Sequence, residues 1–181
     1  MRALADFIKK HRNRSVMLAI HSQADIDTLA SALALNEYFK NGAVCVPDML
    51  GSHAKRINER FSGRVVKFKD APLDNSAILV LDSNSYAMLE DMADYVRGFK
   101  GGIAVIDHHS IHSDAISATT SFVDNRASST CEIVYDVFKA LNFPISPRCA
   151  ELLLLGIIHD SADFRNATTH TMEIVTYLLK R

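Results

Sequence analysis

Metal-binding side chains stand at the ends of three apolar segments of this sequence. The segments are Val16–Ile20, Ala77–Leu81 and Ile103–Ile106. The side chains that follow them are His21, Asp25, Asp27, Asp82, Asp107, His108 and His109. Aspartate and histidine supply the oxygen and nitrogen ligands with which proteins hold divalent ions. The sequence therefore indicates a metal site assembled from three separate parts of the chain.

A capping role is the simpler alternative for any one of these aspartates. Asp25 and Asp27 could each cap the helix that they open, and a single histidine usually lies at the surface. The combination is harder to explain in this way, because all three apolar segments end directly in such residues. This combination favours a metal site.

Several carboxylates with imidazoles and no thiolates suit Mn²⁺ or Mg²⁺. Six such ligands exceed the needs of one ion when water must also bind, so two ions with one bridging carboxylate are expected. Two ions roughly 3.5–4 Å apart can activate water and stabilise both in-line oxygens in the hydrolysis of a phosphate ester. No P-loop, GxGxxG, GxSxG or HExxH motif indicates a competing mechanism.

The elements that position these residues form an α/β pattern. Apolar segments alternate with helical patterns, which predicts an open, mostly parallel β-sheet with helices on both faces. Carboxyl ends of parallel strands share one edge of the sheet, where ligands bind. We therefore expect the metal site at the carboxyl ends of the strands. Asp160, which follows the apolar segment Leu152–Ile158, is a further candidate for that place.

The other elements are predicted from apolar spacing and caps. Weaker strands are expected over 43–46, 64–68 and 121–123, and helices over 1–14, 25–40, 54–61, 86–99, 147–158 and 169–180. Ser129 and Glu132 fit a capping box that opens one more helix. The last helix is expected to face the core through Met172, Val175 and Leu179.

Length and composition limit the class of protein. A chain of 181 residues suits one domain, and 48% hydrophobic with 23% charged residues excludes a disordered chain. A net charge of −1 does not indicate a broadly basic surface for nucleic acid or membranes. Three cysteines without a CxxC pair and the lack of a long apolar run predict a cytoplasmic protein that does not insert into membranes.

The motifs resemble those of the DHH phosphoesterase superfamily, and they occur in the same order. This superfamily includes RecJ-type exonucleases, oligoribonuclease/pAp phosphatases, cyclic dinucleotide phosphodiesterases, exopolyphosphatases and family II inorganic pyrophosphatases. The segments Ser128-Ser129-Thr130 and 156–161, with Phe164, are similar to the oligoribonuclease/pAp phosphatase branch. The matching motif residues are His21, Asp25, Asp27, Asp82, Asp107, His108, His109 and Asp160.

The resemblance implies that two Mn²⁺ ions are bound, with Mg²⁺ or Co²⁺ as substitutes. His21 and Asp25 would ligate the first ion, and Asp82 would bridge both. The other ligands, all on the second ion, would be Asp27, His108 and Asp160. The nucleophile would be a water that bridges the two ions.

The resemblance also implies roles around the substrate. His109 would face the substrate phosphate, and Asp107 would support catalysis by orienting a histidine. Ser128 and Ser129 could present backbone N–H groups to an anion, although simple helix capping explains them equally well. His11, His53, His112 and His170 are expected at the surface, and His159 is not assigned as a ligand.

Some features depart from the family pattern. Gln23-Ala24 replaces a common Asn-Pro pair, and Asp163 follows the last motif where small residues are usual. Family members usually carry a C-terminal substrate-binding domain. The resemblance therefore implies that residues 1–181 are the DHH catalytic domain without that second domain, and that this domain alone would turn over weakly. A homodimer is the alternative arrangement.

The expected function is a Mn²⁺-dependent phosphoesterase that acts on a short oligonucleotide, pAp or a cyclic dinucleotide. One alternative is an inorganic pyrophosphatase. Another is a non-catalytic metal-binding core that serves as a scaffold or subunit in a nucleic-acid complex. The basic residues Lys55, Arg56 and Arg60 form either a lip near the cleft or an ordinary solvated helix face.

Overall fold

The protein folds around a six-stranded sheet, described here for all 181 residues by a computed structural model. Every pair of neighbouring strands is parallel. The strands are β1 (Ser15–Ala19), β2 (Asn41–Val46), β3 (Val65–Lys67), β4 (Ala77–Leu81), β5 (Gly102–Asp107) and β6 (Thr120–Val123). The prediction of an open parallel sheet is confirmed, and the sheet is parallel throughout.

The strand order β3-β2-β1-β4-β5-β6 reverses direction between β1 and β4. The chain builds the sheet outward from β1 to β3 and then returns to place β4 on the other side of β1. At such a reversal the connections leave the two neighbouring strands in opposite directions, which opens a crevice beyond their carboxyl ends. The residues that follow β1 and β4 therefore lie at the mouth of this crevice.

Helices cover both faces of the sheet, but unequally. The helices are α1 (Arg2–His11), α2 (Ile26–Asn36), α3 (Ser52–Arg60), α4 (Met92–Gly98), α5 (Thr130–Ala140), α6 (Pro147–Asp160) and α7 (Thr169–Leu178). Only α4 packs on one face, and the larger core on the other face includes residues of the other six helices. Every residue from Asp27 to Leu35 in α2 is buried, because this helix lies between the sheet and other helices.

Alternation along β1 shows how the two cores form. Val16 and Leu18 face the larger core, whereas Met17 and Ala19 face the smaller one. All four side chains are at most 2% exposed. A strand buried on both faces reads as a continuous apolar run, which explains why the sequence signal for β1 was strong.

Two helix predictions need correction. The segment 86–99 is not one helix, because the left-handed backbone at Glu90 (φ 48°) separates a short 3-10 turn from α4. In α7 the prediction holds for Val175 and is wrong for Met172 and Leu179. Met172 and Leu179 are 45% and 69% exposed, and the buried residues are Thr171, Ile174, Val175 and Leu178.

His11 also differs from its predicted surface position. Its side chain is 4% exposed, and Nδ1 donates to the Phe7 carbonyl oxygen at 2.8 Å. None of the helices has both the length and the apolar character needed to cross a membrane.

The central strands should dominate stability. Leu79 in β4 is fully buried, so Leu79→Ala should lower the free energy of unfolding by about 2–5 kcal/mol. Leu73 is 54% exposed, and Leu73→Ala should change it by less than about 0.5 kcal/mol. Urea unfolding followed by circular dichroism measures both. Equal effects of the two substitutions would contradict this packing.

Candidate metal centre

The predicted metal ligands lie at the carboxyl edge of the sheet, around the reversal between β1 and β4. Strands β1, β4 and β5 end at this edge, α2 begins there, and α6 ends there. The structure brings together His21, Asp25, Asp27, Asp82, His108 and Asp160. Residues 21 and 160 are far apart in the chain, so it is the fold that brings these side chains together.

Asp82 is the central carboxylate of this cluster. Its side chain is 3% exposed, and its two oxygens face different histidines. Oδ2 lies 3.9 Å from His21 Nε2, whereas Oδ1 lies 3.6 Å from His108 Nε2 and 3.9 Å from His109 Nδ1. One buried carboxylate thus lies between two groups of potential ligands.

The second of these groups contains Asp27, His108 and Asp160. One ligand atom from each lies within 4.8 Å of the others. His108 Nε2 is 2.8 Å from Asp160 Oδ2, yet this buried nitrogen has no hydrogen-bond partner of suitable geometry. An unpartnered imidazole nitrogen surrounded by carboxylate oxygens suits a divalent cation such as Mn²⁺.

Electrostatics in this group are unfavourable without a cation. Burial lowers the pKa of His108, but the facing carboxylates of Asp160, Asp27 and Asp82 outweigh it and raise the pKa to about 9. Burial, reinforced by the Asp82 carboxylate, raises the pKa of Asp27 well above its usual range. Both shifts show that the buried carboxylates need compensating positive charge.

Asp27 is held in place by the N-terminus of α5. Its Oδ2 accepts from the Thr130 backbone N–H at 2.7 Å, and its Oδ1 accepts from that of Cys131 at 3.0 Å. The Thr130 hydroxyl donates to Asp82 Oδ1 at 2.8 Å. Thr130 therefore connects two candidate ligands, a role that the sequence analysis missed.

Asp107 and His109 form a supporting pair beside the cluster. Asp107 is fully buried, and its Oδ1 lies 2.8 Å from His109 Nδ1. Burial favours a higher pKa for Asp107, but hydrogen bonds from His109 and Asn84 outweigh it and lower the pKa. The hydrogen bond with Asp107 raises the pKa of His109 in turn. This geometry supports the expected orienting role of Asp107.

Asn84 is a second residue that the sequence analysis missed. Its side-chain amide donates to Asp107 Oδ2 at 2.5 Å and to the Ser110 carbonyl oxygen at 3.1 Å, and its Oδ1 accepts from the His112 N–H. It therefore joins the segment after β4 to the segment after β5. The sequence feature that could have identified Asn84 is its position two residues after Asp82.

Thr28 lies where the first group of ligands converges. Its Oγ1 is 2.9 Å from His21 Nε2 and 3.1 Å from Asp25 Oδ1, and it donates to Asp82 Oδ2. Asp25 also accepts from the Thr28 backbone N–H at 3.0 Å, so the capping role considered for Asp25 is present in the structure. Capping and metal binding are compatible, because a carboxylate offers two oxygens.

Left-handed backbone conformations occur at three of the segments that carry ligands. Gln23 (φ 54°) lies between His21 and Asp25, and Asp82 itself has φ 59°. Residues 162–164, just after Asp160, have φ between 53° and 69°. Such conformations are costly outside glycine and persist where the surrounding structure enforces them, as at ligand sites.

Ser128 and Ser129 lie at the N-terminus of α5, but their groups bind other parts of the protein. Ser129 is fully buried, and its hydroxyl accepts from the Glu132 N–H at 3.1 Å as the predicted N-cap. The Glu132 carboxylate does not complete the capping box. It accepts from Ser128 Oγ at 2.8 Å and from Thr171 Oγ1 at 2.8 Å. The Ser128 N–H lies 3.4 Å from the same Glu132 carboxylate. The expected contact of the Ser128 and Ser129 backbone N–H groups with an anion stays a prediction.

A polar cleft of about 220 Å³ opens beside the cluster. His21, Asp25, Asp82 and His109 line it, and Met88 is its one apolar residue. His109 is half exposed there, with 52% of its side chain accessible. Such a cleft is suited to a small, charged group such as a phosphate.

Gly156 allows α6 to approach this centre. A Cβ at Gly156 would collide with Cys131 Sγ and lie 2.7 Å from Asp27 Oδ1. Gly156→Ala should therefore lower the free energy of unfolding by about 1–3 kcal/mol, measured in urea. Gly98→Ala is the control, because a Cβ there meets nothing within 4 Å. A Gly156→Ala variant as stable as Gly98→Ala would contradict this close approach.

Two relatives match most of the chain in sequence. The chain is 27% identical, over 98% of its length, to "Uncharacterized protein MJ0988" of Methanocaldococcus jannaschii, and it covers 54% of that protein. It is 26% identical, over 82% of its length, to the protein named "Probable manganese-dependent inorganic pyrophosphatase" of Staphylococcus carnosus, and it covers 48% of that protein. The chain thus spans about half the length of these relatives.

Solved structures share the fold. An exopolyphosphatase-related protein from Bacteroides fragilis superposes with a TM-score of 0.86 at 22% identity, over 99% of this chain and 57% of that one. Exonuclease RecJ bound to manganese superposes with a TM-score of 0.58 at 15% identity, over 99% of this chain and 47% of that one.

A family model confirms the resemblance that the motifs suggested. The model described as "DHH family, N-terminal domain" matches residues 15–157, which is most of the chain and includes every site residue except Asp160. The chain belongs to the DHH family.

Proposed function

We propose that this protein is a Mn²⁺-dependent phosphoesterase that hydrolyses a small phosphoester with two metal ions. The observation that carries the proposal is the position of Asp82, whose two oxygens face His21 on one side and His108 on the other. A carboxylate in this position suits a bridge between two ions. Manganese appears in the names of the Staphylococcus pyrophosphatase and of the RecJ structure.

The first ion would be held by His21, Asp25 and Asp82. The second would be held by Asp82 together with Asp27, His108 and Asp160. When bound, two such ions lower the pKa of water and stabilise charge on the phosphoryl oxygens. Six protein ligands shared between two ions would leave positions open for water and substrate.

The protein's own residues would orient the substrate and supply a positive charge. His109 lines the polar cleft, and its hydrogen bond with Asp107 raises its pKa, which favours the protonated ring. A protonated His109 would donate a hydrogen bond to a phosphate oxygen through the nitrogen that does not face Asp107. Asn84 would keep Asp107 in place through its hydrogen bond.

We place the substrate among short oligonucleotides, pAp and cyclic dinucleotides, as the motifs imply. Inorganic pyrophosphate is the second candidate, favoured by the name of the Staphylococcus relative and by the polar cleft. The three cysteines are buried and unpaired, which supports a reducing, cytoplasmic location.

Asp82→Asn tests the bridging role. Asparagine tolerates the left-handed backbone at this position, so the variant should fold. We expect hydrolysis of bis-p-nitrophenyl phosphate with Mn²⁺ to fall by about 100-fold or more, because one bridging charge is lost. Asp74→Asn, at an exposed position, is the matched control and should retain activity.

Two outcomes would contradict this proposal. Equal activity of Asp82→Asn and Asp74→Asn would exclude Asp82 from catalysis. Absence of activity in the wild type with Mn²⁺ still bound would instead support the scaffold alternative. A panel of dinucleotide, pAp, cyclic dinucleotide and pyrophosphate would then distinguish the enzymatic candidates.

Metal binding should release protons. With a pKa of about 9, His108 is protonated at pH 7 in the metal-free protein and must lose its proton to ligate. The apparent affinity for Mn²⁺ should therefore fall by about tenfold per pH unit as the pH decreases below about 9. Calorimetric titration at pH 7 in two buffers of different ionisation enthalpy measures the released protons. His108→Gln should reduce both the number of released protons and the affinity for Mn²⁺. His53→Gln, at an exposed position, should change neither. A heat of Mn²⁺ binding that is the same in both buffers would refute this prediction.

A further inference from the structure

A second pocket, separate from the polar cleft, lies beside the metal centre. Its volume is about 370 Å³, within the usual range for small-ligand sites. Its apolar walls are Val46, Met49, Leu50 and Val65. It is formed by the carboxyl ends of β2 and β3, the segment that follows β2, and α3.

Backbone hydrogen bonds connect this pocket to the segment that carries His21 and Asp25. The Gln23 N–H donates to the Met49 carbonyl oxygen at 3.1 Å, and the Gly51 N–H donates to the Ala24 carbonyl oxygen at 3.2 Å. A Cβ at Gly51 would lie 2.8 Å from that Ala24 oxygen, so glycine permits the close approach. The pocket and the metal centre are therefore neighbours on the same edge of the sheet.

The chemistry of this pocket differs from that of the polar cleft. Half of the eight lining residues are apolar, whereas the polar cleft has one apolar residue among nine. Met49 is 56% exposed, and a flexible thioether makes favourable contacts with aromatic rings. The Asn58 side-chain amide can both donate and accept hydrogen bonds at the edge of a heterocycle.

Two lysines add positive charge at this pocket. Lys67 Nζ pairs with Asp48 Oδ1 at 3.0 Å, whereas Lys55 lines the pocket without an ion pair. The neighbouring Arg60 instead pairs with Glu151, so it does not serve the pocket. Of the three basic residues noted in the sequence, Lys55 is the one that lines this pocket.

We propose that this pocket binds the nucleoside portion of a nucleotide substrate whose phosphate lies at the metal centre. The inference rests on the proposed function and deepens it, because it assigns a separate pocket to the nucleoside of such a substrate. An apolar wall stabilises a bound base because both bury apolar surface. It adds no such binding free energy for pyrophosphate, which has no apolar surface. The pocket would therefore select nucleotides over inorganic phosphate compounds.

Binding of adenosine and adenosine monophosphate without metal tests this inference directly. The full chain in a chelating buffer is titrated and followed by backbone amide NMR shifts. We expect shifts at residues 46–50 and 65–67, and a dissociation constant for adenosine about tenfold higher in Met49→Asp. Met172→Asp is the matched control, because Met172 is 45% exposed on α7 and lies outside the pocket.

Kinetics with Mn²⁺ separate this inference from the proposed function. The ratio of kcat/KM for a dinucleotide to that for pyrophosphate should fall about tenfold in Met49→Asp and stay constant in Met172→Asp. Absence of adenosine binding, or equal binding by both variants, overturns the nucleoside pocket even if hydrolysis is observed. Adenosine binding that depends on Met49, without hydrolysis of any substrate, upholds the pocket and overturns the proposed enzyme.

Discussion

The buried carboxylate of Asp82 is the group on which the architecture of this site depends. Its side chain is 3% exposed and lies among other acids, a position that costs free energy unless positive charge compensates it. The surrounding structure supplies partial compensation through the hydroxyls of Thr28 and Thr130 and through nearby histidines. Hydroxyl groups cannot neutralise several carboxylates. Burial and the neighbouring Asp82 raise the pKa of Asp27, and the facing carboxylates raise the pKa of His108, as expected where negative charge is left uncompensated. A bound divalent cation would compensate this negative charge directly.

The fold concentrates this negative charge at the carboxyl edge of the sheet, beside the reversal of strand order between β1 and β4. The return of the chain from β3 to β4 brings Asp82 beside the segment after β1, and the neighbouring β5 ends in the Asp107-His108-His109 sequence. Helix α5 then directs its N-terminal N–H groups at Asp27, and Gly156 lets α6 come close enough for Asp160 to join. The geometry of the site is thus set by strand order and by how α5 and α6 approach the sheet edge.

Much of this could be predicted from the sequence, for identifiable reasons. Strands β1, β4 and β5 were recognisable because they are buried on both faces. His21, Asp82 and His108 were recognisable because each closely follows one of these strands. The supporting contacts were not. The Thr130 N–H reaches Asp27 across 103 positions of sequence, and that contact depends on how α5 packs against α2. The break at Glu90 was hidden because Leu89, Met92 and Val96 keep helical spacing and all pack on the sheet. The burial of Thr171 could not be predicted from the sequence, because the hydrogen-bond partner of its hydroxyl, Glu132, lies on another helix.

The central claim is that Asp82 bridges two metal ions. A crystal grown with Mn²⁺ and recorded at the manganese absorption edge tests it most directly. The account predicts two anomalous peaks about 3.5–4 Å apart, one on each side of the Asp82 carboxylate, with His21 beside one and His108 beside the other. A single peak away from Asp82, or none at saturating Mn²⁺, would contradict it.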